Sequence, residues 1–351
     1  MDDIADKLGC LSKLEQAGLD SAYDVVARST TDLHSVLRNA NHVNAIVDAA
    51  SKEVYPWRSR IRTAESLPTE SVSTGDATID RILGGCGIPL GSLTEIVGES
   101  ASGKTQLALQ LCLAVQDPNQ LHGEAVYLHS EGRFPSTRLD QLASSFAQRY
   151  DILPEQLEKA IHTMRLTDRE NQYQALVYQL PALLARRRNK VRVVVIDSIS
   201  AIYRGEQEKN QFERMAEVCD LGLRLKRIAS QYQVAIVAIN QVSDVFTQNK
   251  DKSSALPPEL VDQWIDFRLE SASSLSPAVP LAMFWQSLTK KPVLGMSWSN
   301  AVSTRIRLAR SAISSNGSTR RALFIEFSPI APRSGCEIII DMDGVKAKEW
   351  Q

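Results

Sequence analysis

The chain has 351 residues, of which 43% are hydrophobic and 23% charged, a composition that supports a buried core and excludes an intrinsically disordered protein. Its 40 basic and 41 acidic residues give a formal net charge of -1, which disfavours a strongly basic, non-specific DNA binder and leaves DNA contacts to local basic clusters. The five cysteines are scattered without paired spacing, which indicates a reducing compartment and no zinc site or disulfide framework.

Residues 1–54 are predicted to form a small all-helical N-terminal domain. Apolar side chains recur at helical spacing in three runs, Leu11–Ala17, Leu33–Leu37 and Ala45–Ala49. Packing or docking is a commoner role for such a bundle than DNA binding. The acidic N-terminus has no apolar signal-peptide core, and no later run is long and charge-free enough to cross a bilayer, so we expect neither secretion nor membrane insertion.

Residues 55–72 are predicted to form a linker, because Pro56 and Pro68 interrupt a polar stretch without sustained periodicity. Tyr55 and Trp57 are the large aromatic residues in it. Aromatic rings left in water forfeit their burial free energy, so these two either cover the N-terminal helices or dock on another chain.

Residues 73–351 are predicted to form an α/β domain, in which Val- and Ile-rich runs alternate with helical segments. The predicted strands are Leu93–Val97, Ala125–Leu128, Val191–Ile196 and Val234–Ile239, and the clearest helix is Gln106–Val115. Because these strands lack polar alternation, we expect a mostly parallel sheet buried between helices. Residues 248–288 are rich in Ser and Pro and too long for a simple connection, which indicates a functional insertion.

A phosphate-binding loop follows the first of these strands and precedes the helix. The motif G-x-x-x-x-G-K-[ST] is matched in full by Gly98, Glu99, Ser100, Ala101, Ser102, Gly103, Lys104 and Thr105. Its backbone N–H groups converge on phosphate oxygens, Lys104 neutralises the β and γ phosphates, and the Thr105 hydroxyl binds Mg²⁺. An ordinary glycine turn needs no Lys-Thr pair, so the motif predicts an ATP and magnesium site.

Polar side chains also end three other predicted strands. Asp197 is interpreted as the Walker-B acid of the magnesium site, Glu131 as the residue that orients the attacking water, and Gln241 as an amide that senses the γ-phosphate. Taken alone, each has a plainer interpretation: a helix N-cap for Asp197, a surface residue for Glu131, and a strand terminus for Asn240 and Gln241.

Four stretches, in order and spacing, resemble the RecA-like strand-exchange recombinases of eukaryotes, in their recombinase-paralogue branch. They are Thr74–Gln106, Ser130–Phe134, Asp197–Arg204 and Asn240–Val242. The resemblance implies a RecA-like P-loop ATPase core behind a helical N-terminal domain, with ATP and Mg²⁺ as cofactors. It also implies a DNA-repair role in homologous recombination, in a hetero-oligomer with another paralogue on single-stranded or branched DNA. Weak DNA-dependent ATPase activity and a location in the nucleus, and also the cytoplasm, are expected.

The resemblance also implies roles for individual residues. Glu131 is similar to the hydrolytic glutamate, and Gln241 to the γ-phosphate sensor that opens the second DNA loop. Arg138 is similar to the arginine that packs on adenine, Gln106 follows the P-loop in the nucleotide site, and the region around Pro329 is similar to the cap over a neighbour's nucleotide.

The linker and the DNA loops bear on assembly. In the resembling recombinases a linker aromatic inserts into a neighbour's pocket, so Tyr55 or Trp57 is expected to anchor a partner paralogue. The first DNA loop, residues 205–214, has few basic residues, and the second, residues 242–296, is longer than in the family. Asn300 replaces a histidine that couples ATP to DNA there. A recombination mediator is therefore favoured over a self-sufficient recombinase, with a scaffold holding purely structural ATP as a third hypothesis.

A DNA path is predicted along clusters of basic and aromatic side chains in the C-terminal third. The basic candidates are Lys250, Lys252, Lys290, Lys291, Arg305 and Arg307, and the aromatic ones are Trp264, Phe267, Phe284 and Trp285. The alternative for such charges is a solvated face.

Overall fold

The computed structural model describes most of the chain, namely residues 2–54, 70–188, 190–203, 211–243, 269–270, 281–312 and 319–348. The chain divides into two compact units, residues 1–68 and residues 69–351. Tyr55, Trp57 and most of the predicted linker lie outside the described residues. Four of the proposed DNA contacts do so too, Lys250, Lys252, Trp264 and Phe267.

The first unit is helical, as the sequence predicted. Its helices are α1 (Asp2–Lys7), α2 (Leu11–Gln16), α3 (Ala22–Ala27), α4 (Thr30–Leu37) and α5 (Ala40–Val54). Ser21 and Ser29 start α3 and α4, because their hydroxyls accept hydrogen bonds from free backbone N–H groups of the first turn. The apolar faces meet in one core that contains Leu14, Val25 and Ile46.

The second unit contains a large mixed sheet and a separate two-stranded sheet made by its first two strands. Its strands are β1 (Ser71–Val72), β2 (Ile88–Pro89), β3 (Leu93–Gly98), β4 (Glu124–His129), β5 (Ile161–Arg165), β6 (Val191–Asp197), β7 (Ala235–Ser243), β8 (Leu269–Glu270), β9 (Lys291–Pro292), β10 (Thr304–Arg310), β11 (Arg321–Phe327), β12 (Gly335–Asp341) and β13 (Gly344–Ala347). The main strand order is β13-β12-β11-β10-β3-β7-β6-β4-β5. From β10 to β5 all pairs are parallel, and β10 to β13 pair antiparallel.

Helices cover this sheet. They are α6 (Ala77–Ile82), α7 (Lys104–Ala114), α8 (Ser136–Tyr150), α9 (Pro154–Lys159), α10 (Arg169–Gln174), a π-helix (Ala175–Gln179), α11 (Leu180–Arg186), a 3₁₀ turn (Ala201–Tyr203), α12 (Gln211–Tyr232), a 3₁₀ turn (Leu281–Phe284), α13 (Trp285–Leu288) and α14 (Gly295–Ser299). Alternate residues of β6 belong to different apolar cores. Val193 and Val195 pack on the α7 side of the sheet, and Val194 and Ile196 pack on the α12 side. Burial on both faces explains the unbroken Val and Ile runs.

Two loop boundaries differ from the sequence-based prediction. Helix α12 begins at Gln211, inside the predicted first loop, and its core-facing residues Val218, Leu221 and Leu225 follow that loop. The C-terminal end of the predicted insertion is helical from Leu281 to Leu288. Among the described helices, none combines the length and apolar character needed to span a bilayer.

Candidate nucleotide-binding site

The carboxyl ends of the central strands lie level at one edge of the sheet. Gly98 at the end of β3 is registered with Gln241 on β7, and Asp197 on β6 is registered with both Ile239 on β7 and His129 on β4. This register gathers residues that are far apart in sequence around one cleft of about 720 Å³. The cleft is lined by Ser100, Ala101, Gly103, Lys104, Thr105, Gln106, Glu131, Arg138, Asp197, Ile239, Gln241, Arg321, Ile340, Asp341 and Met342.

The P-loop has the backbone of a phosphate cradle. Gly103 precedes α7 with a φ of 109°, in the left-handed region that favours glycine. A Cβ at Gly98 would lie 2.3 Å from the carbonyl oxygen of Leu308, so a side chain does not fit there. The buried Ser102 hydroxyl has no hydrogen-bond partner among the described residues. A buried polar atom of this kind and the N-terminus of an eleven-residue helix fit an anionic phosphate chain.

Carbonyl oxygens of the P-loop hold the Lys104 ammonium in place. Its Nζ donates to the carbonyl oxygens of Gly98 at 2.9 Å and Glu99 at 2.6 Å, and only 8% of the residue is exposed. Burial strengthens the interaction of this charge with an anion in the cleft.

Two hydroxyls converge on the same oxygen of the Walker-B candidate. Thr105 Oγ1 donates to Asp197 Oδ2 at 2.8 Å, and Tyr127 Oη donates to it at 2.6 Å. Burial, and then the neighbouring Asp197 charge, raise the pKa of Tyr127 well above its ordinary value. Tyr127 therefore stays protonated and donates this hydrogen bond throughout the physiological pH range.

The donor set fits a magnesium ion that shares its coordination with a nucleotide. Among the described residues there is no group of three or more His, Cys, Asp or Glu side chains that could hold a metal by itself. Thr105 and Asp197 supply one hydroxyl and one carboxylate, and Mg²⁺ in nucleotide sites is held by such a small protein set with phosphates and water.

Glu131 and Gln241 face each other at the mouth of the cleft. Gln241 Nε2 donates to the two carboxylate oxygens of Glu131 at 3.1 and 3.3 Å. Glu131 follows β4 and Gln241 is in β7. The parallel strands end at the same edge of the sheet, which brings these two residues together although 110 positions separate them in the sequence.

Arg138 forms the opposite wall. Its Nε donates to Gln106 Oε1 at 2.6 Å and its Nη2 to the Asp341 carbonyl at 2.6 Å. These bonds tie α8 to the turn between β12 and β13 and leave the planar guanidinium beside the apolar side chains of Ile340 and Met342. Such a surface suits a flat heterocyclic base.

Part of the predicted DNA path is wrong. Arg305 and Arg307 are 8% and 3% exposed, because Arg305 pairs with Glu95 at 2.5 Å and Arg307 pairs with Glu326 inside the sheet. They were predicted as DNA contacts from their charge, but carboxylates on the neighbouring strands β3 and β11 neutralise them. Phe284 is fully buried and so is unavailable for base stacking.

The comparison with known proteins then places the chain. Residues 68–256 match the Rad51 family, which is more than half of its length. The chain belongs to the Rad51 family. The domain of this family has an ATPase fold and is nucleotide-binding, in keeping with the cleft at the sheet edge.

Named relatives of this Rad51-family chain are DNA repair proteins. The chain is similar to DNA repair protein rhp57 of Schizosaccharomyces pombe, at 30% identity over 354 residues, which cover 93% of this chain and 94% of that protein. It is similar to DNA repair protein XRCC3 of Mus musculus, at 31% identity over 95% of this chain and 93% of that one. A third relative, RAD57 of Saccharomyces cerevisiae, is 38% identical over 50% of this chain and 39% of that protein.

Sequence reasoning did not assign a role at this site of the Rad51-family domain to Tyr127 or Arg321. Tyr127 was taken only as part of a strand, and its role depends on the β4–β6 register that sets it beside Asp197. Arg321 starts β11, lines the cleft and donates from Nε to the Ala101 carbonyl at 3.2 Å. No motif marks Arg321, since the antiparallel strands alone carry it to the P-loop.

Proposed function

We propose that the chain is an ATP-binding DNA-repair protein that acts as a recombinase paralogue in homologous recombination. It binds DNA within a hetero-oligomer and supports the function of a recombinase filament. The observation that carries the proposal is the contact between Glu131 and Gln241 at the mouth of the P-loop cleft, in a chain with DNA repair proteins among its relatives. It works in the nucleus, and also in the cytoplasm.

The proposed activity is a weak, DNA-dependent ATPase. When bound, ATP with Mg²⁺ would supply the phosphoanhydride bond that is hydrolysed. Lys104 binds the β and γ phosphates, Thr105 and Asp197 bind the magnesium, and Arg138 packs against the adenine. Glu131 orients and polarises a water molecule. Gln241 donates to the Glu131 carboxylate in the conformation described here, and a change in this contact on DNA binding would make turnover depend on DNA.

Two variants test the ATP site. Lys104→Ala should lower ATP affinity at least about a hundredfold, because it removes a buried charge-assisted contact worth roughly 3 kcal/mol. Glu131→Gln should keep ATP affinity and lose most turnover, because the amide keeps its shape but not its negative charge. Isothermal titration and phosphate release measure the two effects. An affinity for ATP in Lys104→Ala within a few-fold of wild type contradicts the ATP site, and unchanged turnover in Glu131→Gln contradicts its catalytic role.

The two other functions raised from the sequence are less favoured. A scaffold with purely structural ATP has no need of a carboxylate and an amide facing the phosphate end of the cleft. A self-sufficient recombinase is disfavoured by the few basic residues of the first loop and by the unusual length of the second. Turnover that stays at zero with DNA and partner present would instead favour the scaffold.

We place the partner contact in the predicted linker, residues 55–72, between the predicted helical domain (1–54) and ATPase domain (73–351). The last two linker residues, Ser71 and Val72, form strand β1 of the second unit. Tyr55 or Trp57 anchors another paralogue by inserting its ring into a pocket of that subunit, and the ATPase faces complete the contact. An aromatic hot spot of this kind contributes roughly 2 kcal/mol or more, about thirtyfold in affinity. Arg58, Arg60 and Arg62, which follow the docked ring in sequence, would keep the tether solvated.

The double variant Tyr55→Ala/Trp57→Ala tests this anchor. Co-purification with the partner paralogue at low concentration should fall about thirtyfold or more, while the melting temperature of the helical domain stays the same. Undiminished complex together with a destabilised helical domain would mean that both rings cover their own domain.

A further inference from the structure

The side chain of Glu99 points away from the nucleotide, although its backbone belongs to the P-loop. Ser100 and Ala101 line the cleft, but Glu99 does not. Its two carboxylate oxygens contact Lys290 Nζ at 2.9 Å and Arg310 Nε at 3.0 Å, and 11% of the side chain is exposed. A carboxylate with so little water around it is only weakly screened by salt, so these pairs fix the position of both cations.

Lys290 belongs to a segment that returns from the second loop to the sheet, residues 287–293, which we name the return segment. The backbone of this segment is anchored independently of Glu99. Arg307 Nη1 donates to the carbonyl oxygens of Ser287 at 3.3 Å and Lys290 at 3.1 Å. Because Arg307 is itself paired with Glu326 inside the sheet, the return segment rests on a rigid part of the core.

The return segment also contacts the strand that carries the γ-phosphate sensor candidate. Lys291 and Pro292 pair antiparallel with Ser243 and Val242 at the end of β7. The Val293 N–H donates to the carbonyl oxygen of Gln241 at 3.0 Å. The P-loop and Gln241 therefore hold the same short segment, one through a side-chain ion pair and the other through the backbone.

We propose that Glu99 is a positioning residue that couples nucleotide binding to DNA binding through its ion pair with Lys290. The inference rests on the proposed function, and it adds the residue pair that links nucleotide binding to DNA binding. Phosphates contact the backbone of the P-loop, the loop carries the Glu99 carboxylate, and the carboxylate sets the position of the Lys290 side chain on a segment whose backbone Arg307 and β7 already hold. Lys290 thus acts through its position in the protein, whereas the neighbouring Lys291 is exposed and available to a DNA phosphate.

The coupling is measured as a ratio of two dissociation constants. A fluorescent poly-dT oligonucleotide is titrated into the full chain without and with a non-hydrolysable ATP analogue and Mg²⁺. We expect the wild-type ratio to lie in the range of about 5 to 150 that is typical of coupled sites. Lys290→Gln should bring it close to 1, and Lys290→Arg, which keeps the charge, should retain most of it.

Two further variants separate positioning from direct contact. Lys291→Gln is the matched control, and it should weaken DNA binding by the same factor with and without the nucleotide, because one phosphate contact is lost in both states. Glu99→Gln should lower the ratio as Lys290→Gln does. The double variant should add nothing further, because the two residues act through one contact.

Four outcomes decide the inference. A Lys290→Gln variant that weakens DNA binding equally in both states makes Lys290 an ordinary phosphate contact and overturns it. A Lys291→Gln variant that removes the coupling as completely as Lys290→Gln does also overturns the inference. A wild-type ratio of 1, with ATP and DNA both bound, refutes this inference and leaves the proposed function standing. Failure of the wild-type chain to bind ATP refutes the proposed function itself.

Discussion

At the scale of single residues, the site depends on hydrogen bonds that set the direction of a few charged groups. Asp197 is the clearest case, because Thr105 and Tyr127 both donate to one of its oxygens and leave the other for water or a metal shell. Tyr127 is fully buried, so its hydroxyl has no water with which to exchange this bond. Among the described residues, removing the hydroxyl leaves Thr105 as the side-chain donor to the Asp197 carboxylate.

Tyr127→Phe should therefore weaken the magnesium site and leave the fold intact. Loss of a residue that orients a metal ligand lowers metal affinity by about tenfold or more, and the free energy of unfolding should fall by only about 1 kcal/mol. ATP affinity measured across a Mg²⁺ titration should show the half-maximal concentration rising about tenfold. Tyr150→Phe is the control, since it removes a hydroxyl from the same core side far from the cleft. An unchanged Mg²⁺ dependence would contradict the role of Tyr127.

At the scale of elements, single carboxylates join strands to the helices that cover them. Glu124 at the start of β4 accepts hydrogen bonds from Arg187, just after α11, at 2.7 and 2.8 Å, and contacts His162 Nε2 on β5 at 2.8 Å. Burial acts to raise the pKa of Glu124, but the hydrogen bonds and charges of His162 and Arg187 outweigh it, and the pKa lies below its ordinary value of 4.5.

This pKa shift predicts a pH dependence of stability. Because the folded-state pKa is below the unfolded value of 4.5, the stabilisation is fully present above that pH and is lost as the pH falls through the folded pKa. Glu124→Gln should reduce the free energy of unfolding by roughly 1 kcal/mol at neutral pH, and the difference from wild type should vanish in acid. Denaturant unfolding followed by tryptophan fluorescence measures this difference. The exposed Glu155→Gln is the control, and a difference that persists below the folded pKa would rule out the linkage.

At the scale of the whole molecule, the chain contains two compact units with separate apolar cores. Within the part of the chain that the structure describes, the core of the first unit is made by residues between Ala5 and Val54, which gives this unit an apolar core of its own. At about 0.05–0.15 kcal/mol per residue, a unit of this size is stable by only roughly 3–8 kcal/mol.

Ile46→Ala should consequently unfold much of the first unit and spare the ATP site. Ile46 is fully buried, and truncation of such a side chain costs about 2–5 kcal/mol. Limited proteolysis should cleave residues 1–54 faster, while ATP affinity should stay within about twofold of the wild-type value. Ile4→Ala is the control, because 39% of Ile4 is exposed. A large loss of ATP affinity in Ile46→Ala would show that the two units depend on each other.

The sequence by itself determined the family, the fold class and the order along the chain of the motifs that follow the central strands. These follow from local signals. Unbroken Val and Ile runs indicate strands that are buried on both faces, and the Gly, Lys and Thr residues of the P-loop each serve to bind phosphate or metal. The sequence also indicated which polar residues end the strands. Parallel strands align their carboxyl ends, so Asp197, Glu131 and Gln241 were expected near the P-loop.

Only the tertiary structure decided which charges face the cleft, the solvent or each other. Arg305 and Arg307 were predicted as DNA contacts, but Glu95 and Glu326 on adjacent strands pair with them inside the sheet. Strand register brings Tyr127 to Asp197, and the antiparallel strands bring Arg321 to the P-loop. Charge pairing depends on distances of a few ångströms across strands that are up to about two hundred residues apart. No local pattern in the sequence encodes such distances, because strand order and register set them.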